Sequence, residues 1–197
     1  MNIVTNMIGA VFLLSGYCAC GQYNYSLFED HVIKIHGSSN IRDWTESVQK
    51  ASGGASISWN NDGSFDLNAS SLVMVVQSIK SKKGSVMDEK THKALKSEKY
   101  PVIEFALTTP LRSVLAYANG YAVTASGNLS IAGVTRPVQI RVKLFTTGRR
   151  RIVAEGSCQI NMLDYGIDPP AALFGMLKVT EDITIQFRGL FIANDYY

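Results

Sequence analysis

Three histidines, a few clustered carboxylates and one cysteine in the body of the chain are the residues with reactive chemistry to offer. His31, His36 and His92 form no H-x-x-x-H pair and neighbour no cysteine, so no zinc ligand set is spelled out. Asp164, Asp168, Glu181 and Asp182 fall close enough in sequence for a fold to pair two of them. Acid/base work would need one such carboxyl with a raised pKa in a dry pocket. Turn and surface roles account for the same four residues. There is neither a G-x-S-x-G nor a phosphate-binding loop. Cys158 falls in phase with Ile160 and Met162 and reads as a small buried hydrophobe rather than a nucleophile. The expectation is a chain that binds rather than catalyses, with no metal or organic cofactor.

The reactive residues thus leave the elements around them to say more. At 197 residues, with 46% hydrophobic and 18% charged residues, the chain is long enough for one domain with a sizeable core. A net charge of +3 does not call for nucleic acid. Met7 to Tyr17 is a short apolar run, too short to span a bilayer, followed by small residues and Cys18 and Cys20. Residues 1–20 therefore read as a signal peptide, with lipoprotein processing at Cys18 or Cys20 as the alternative. That implies export to the periplasm or cell envelope, with or without a lipid anchor, and a mature domain over residues 21–197. With both early cysteines removed, Cys158 has no partner for a disulfide.

The mature chain alternates with period two almost throughout, the mark of half-buried strands. The clearest stretch is Gly127 to Leu144, two strands joined at Ala132 to Pro137, where Gly133 suits a tight corner and Pro137 opens the second strand. The apolar phase gives a candidate lining: Ile35 and Trp44 early in the chain, then Leu72 and Met74, then Ile103 and Phe105. Leu129 and Ile131, Val138, Ile140 and Val142, and Ile160 and Met162 continue it, and Phe174 and Met176 join from an apolar connection that would cap one mouth. Leu72 to Val76 is apolar on both faces and asks for cover. The cover expected is a helix opened by a capping box at Ser85 and Asp88, with His92 on its solvated face. Arg149 to Arg151 mark a solvated hairpin end, with contact to anionic headgroups left open. The fold class is mainly β: an antiparallel barrel of about eight strands with one short helix. Such an interior can be filled by side chains or hold one ligand.

Three segments resemble the YceI-like family of polyisoprenoid-binding, lipocalin-like barrels. They are Gly127-Asn128-Leu129-Ser130-Ile131-Ala132-Gly133-Val134-Thr135-Arg136-Pro137-Val138, Tyr100-Pro101-Val102-Ile103-Glu104-Phe105 and Asp164-Tyr165-Gly166-Ile167. The Ser38 to Trp44 segment is similar to one variant of that family's early strands, and Asp164 would need no role beyond capping its turn. The resemblance implies an exported carrier that holds a long-chain isoprenoid or similar amphiphilic lipid against the lining named above. The alternative is an envelope enzyme or redox accessory acting on such a lipid.

Overall fold

Ile131 and Val134 face each other across a two-residue corner, so the hairpin turn is Ala132-Gly133 alone. Both residues have positive φ (50° and 85°), the geometry that matches the twist of the flanking strands. Gly133 is required twice over. A Cβ there would lie 2.3 Å from the Tyr100 ring. Pro137 does not open the strand, as expected from sequence, but lies inside it opposite Asn128. It is tolerated because the far side of this strand begins to pair only at Arg141, so the missing N–H breaks no ladder.

The computed structural model describes residues 21–118, 120–169 and 179–194. The strands are β1 (Gln22–Ser39), β2 (Trp44–Val48), β3 (Ala51–Trp59), β4 (Phe65–Val75), β5 (Ile79–Ser81), β6 (Val102–Leu107), β7 (Leu111–Val114), β8 (Tyr121–Ile131), β9 (Val134–Thr147), β10 (Arg151–Asn161) and β11 (Val179–Ala193). Helix α1 spans Ser85–Ala94, and short 3-10 turns cover Val76–Ser78 and Met162–Tyr165. Every strand pairing is antiparallel, and the wall runs β1-β3-β4-β6-β8-β9-β10-β11 and back to β1, a closed eight-strand barrel. Closure leaves no strand of the wall as a free edge, although β1 has no strand partner on its β3 and β2 side between Ser26 and Ile33. β2 extends β1 beyond β3, β5 adds to β2, and β7 adds to β4.

The interior packs as two clusters, one toward each end. Tyr25, Trp59, Phe65 and Leu67 anchor one. There the indole N–H of Trp59 donates to the Tyr25 hydroxyl at 2.8 Å, and that hydroxyl donates to the Arg149 carbonyl at 2.5 Å, so both polar handles are satisfied as burial requires. Ile33, Val76, Ile79, Ile131 and Tyr165 anchor the other. Burial pushes the Tyr165 phenol up to about 12.

Helix α1 closes the second end rather than lying over Leu72 to Val75, packing on β5 and the preceding 3-10 turn, with Ala94 against the core. Its N-cap is Gly84, and Ser85 is the first helical residue, so no capping box forms. Asp88 instead turns back to accept the Ser81 N–H at 2.7 Å and pair with Lys80 at 3.1 Å. The Ser81 amide is the main cause holding its carboxyl below the usual range. His92, expected in solvent, points its Nε2 at the Ile79 carbonyl, 3.1 Å away, because the face that carries it covers β5.

Gly133→Ala is expected to lower stability by roughly 1–2 kcal/mol for the left-handed backbone alone, and by more from the Tyr100 contact, read as a drop in thermal midpoint. Asp88→Asn is expected to destabilise most at neutral pH. A carboxyl with a depressed native pKa contributes above its unfolded pKa and loses that contribution as pH falls through the native value, so wild-type and variant midpoints should converge in acid.

Candidate functional site

Alternation around the closed wall turns one side chain in two inward, and between the two packed ends these side chains leave a cavity of about 140 Å³. Tyr25, Leu27, Ile33, Ile57, Leu67, Ala125, Leu144, Ile152, Ala154, Cys158, Ile185 and Phe187 are among its walls. The volume is similar to that of an engineered apolar cavity of about 150 Å³ that stays dry and takes up small hydrocarbons. Burial raises the pKa of the Cys158 thiol, which keeps it protonated and inert.

Two aromatic rings define the cavity's middle by lying across glycines. A Cβ on Gly127 would meet the Phe105 ring at 2.4 Å, and one on Gly156 would meet the Phe187 ring at 2.6 Å. The glycines are thus the sites over which Phe105 and Phe187 fold, covering backbone that would otherwise be bare.

Of the residues singled out from sequence, Leu72, Met74, Phe105, Leu129, Ile140 and Val142 stand on the cavity wall. Ile35, Ile103, Ile131, Ile160 and Met162 are buried in the packed cluster beyond it, and Trp44 and Val138 lie half-buried against that cluster. Trp44 rests over Gly37, with its indole N–H 3.4 Å from the Ser38 carbonyl. Phe174 and Met176 lie outside the described residues.

The lining read from sequence omits wall residues on β1, β4 and β11, and on β4 irregular pairing is the reason. Between Ser56 and Ile57 the β3–β4 register slips, so Phe65 and Leu67 point inward but Ala69 turns out and Ser70, Leu72 and Met74 turn in. Between Leu27 and His31 the β1–β11 register slips by two residues, which keeps the phase, so Leu27, His31, Ile33 and Ile35 fall on one face. A strict period-two reading cannot see the β4 slip, whereas on β1 it already sets His31 in phase with Ile33 and Ile35.

The carboxylates do not assemble into an acid/base pair in a dry pocket. Asp164, Asp168, Glu181 and Asp182 are all exposed. Asp182 accepts from the Asn161 amide at 3.0 Å. Asp164 does not cap its turn: Asn161 does, accepting the Leu163 N–H at 2.9 Å, while the Asp164 carbonyl takes the Arg136 Nε–H at 3.0 Å. Among the described residues no three His, Cys, Asp or Glu side chains group to hold a metal ion.

Fold and interior define an antiparallel barrel closed around an apolar cavity, the architecture that holds one small hydrophobic ligand. The chain belongs to the YceI-like domain family, whose model matches residues 30–191. Solved structures with the same fold include a polyisoprenoid binding domain from Saccharophagus degradans (18% identity, 86% of this chain and 98% of that one, TM-score 0.67). BcnA from Burkholderia cenocepacia matches at 13% identity over 81% of this chain and 95% of that one, TM-score 0.62. The Campylobacter jejuni YCEI protein matches at 14% identity over 77% and 85%, TM-score 0.56. No curated protein matches the chain by sequence.

Ile140→Asp is expected to collapse either the fold or the cavity, because it sets an unpaired charge on an apolar wall at a cost of several kcal/mol. Circular dichroism melting and uptake of an apolar dye report the two losses separately. A normal melt with full dye uptake would show that this position does not face the interior.

Proposed function

We propose that the chain is an exported carrier that holds a long-chain isoprenoid or similar amphiphilic lipid inside the barrel. The observation that supports it most is the continuous apolar wall of the internal cavity. Each buried methylene contributes about 0.8 kcal/mol before the cost of ordering the chain is subtracted. The polyisoprenoid binding domain among the similar folds supports the same ligand class. The apolar run Met7 to Tyr17 supports export to the periplasm or cell envelope. The exposed Arg149 to Arg151 turn between β9 and β10 supports contact with anionic headgroups when cargo is exchanged. The exposed positions of the four candidate carboxylates favour carriage over catalysis.

The test is native mass spectrometry of the full chain expressed with its own N-terminus, followed by organic extraction. The expected result is one long-chain lipid per protein, with a mature mass that reports processing near residue 20. Protein that emerges empty and also fails to take up an added long-chain alcohol would overturn the carrier reading.

A further inference from the structure

Nearly all of the cavity wall is apolar, and one side chain on it has hydrogen bonds to give and none made. Both ring nitrogens of His31 are shielded from solvent, and neither finds a hydrogen-bond partner among the described residues. His31 sits on the wall itself, inward-facing at the β1 register slip, opposite Gly189, which brings no side chain to compete for the space. A buried polar group without a partner is rare in folded proteins and asks for an explanation. The other two histidines each make one contact: His36 meets the Thr45 hydroxyl through Nδ1, while its Nε2 is buried without a partner, and His92 meets the Ile79 carbonyl.

His31 also lies beside a break in the wall. β1 pairs with β3 through Ser26 and with β2 only from Ile33 onward, so residues between them have no strand partner on that side. Phe28 and Val32 flank the break as exposed apolar side chains. An amphiphile lying with its tail among Leu72, Phe105 and Ile140 would place its head at this break, where the imidazole waits.

We propose that His31 is the anchor for the polar head of the bound lipid, and that the head is an uncharged hydroxyl. The inference rests on the carrier reading above. A neutral imidazole offers one donor and one acceptor, the complement of an alcohol, which has one O–H and two lone pairs. A phosphate or diphosphate head would want a cation. Among the described residues the one arginine along the cavity, Arg188, turns its Nε outward to Glu155 at 2.7 Å. Ser70, inward on β4, supplies a hydroxyl on the wall.

The experiment measures displacement of the apolar dye N-phenyl-1-naphthylamine from the full chain by dodecane, dodecan-1-ol and dodecyl phosphate. Dodecan-1-ol is expected to bind about tenfold more tightly than dodecane, the worth of one hydrogen bond to a buried group, and more tightly than dodecyl phosphate. His31→Leu should erase the preference for the alcohol over dodecane, and should raise the thermal midpoint of the empty protein. His31→Gln, which keeps a donor and an acceptor, should restore part of the preference. Equal affinity for alcohol and alkane, a preference that survives His31→Leu, or tighter binding of the phosphate would overturn the anchor while leaving the carrier reading intact. Failure of all three probes to displace the dye would overturn both.

Discussion

Everything in this molecule depends on the ladder between β1 and β11, the first and last strands of the wall. It is the pairing that converts a sheet into a barrel. An open sheet of this length would present two rows of unpaired backbone donors and acceptors, which must find partners or water. Joining Tyr25 to Ala193 at one end and Ser39 to Val179 at the other removes both rows at once. The join is long-range in sequence, so it forms only at the cost of closing nearly the whole chain into one loop. The apolar interior that closure creates offsets that cost.

Closure also imposes curvature, and the chain supplies it by irregularity. β1 faces β3 with its first residues and β2 with its last, and it carries two extra residues relative to β11 between Leu27 and His31. β4 slips against β3 near Ala69. The one-residue slip on β4 reverses which side chains face in, whereas the two-residue slip on β1 keeps Leu27 and His31 on the same face. The β4 slip is how Ser70 comes to stand on a surface made mostly of aliphatic and aromatic groups.

Polar chemistry that the interior excludes is gathered at the end covered by α1. Glu46 is buried there with its carboxylate accepting from the Thr91 hydroxyl at 2.7 Å, and burial raises its pKa, with Asp88 nearby adding to the effect. Asp88 is shifted the opposite way, because it accepts a backbone amide and faces Lys80. These bonds run from the helix to β2 and β5. They fasten a helix that has few apolar side chains with which to hold itself in place.

The sequence by itself determined the fold class, the family and most of the strands, because period-two alternation and short turn motifs are local properties written in neighbouring residues. The corner at Gly133, the buried Cys158 and the lining positions Phe105, Leu129 and Ile140 were legible for that reason. Where the helix sits was not: Asp88 looked like half of a capping box because its partner amide, on Ser81, becomes available only once β5 is in place. Nor could alternation separate the buried Ile103 and Ile160 of the packed end from the Ile140 that borders the cavity, since all three face inward and differ only in what lies opposite. His31 shares the phase of Ile33 and Ile35, but that its ring nitrogens lie buried without a partner depends on which strands surround it. Those decisions belong to tertiary structure, because each depends on which distant strand arrives as a neighbour and where its register breaks.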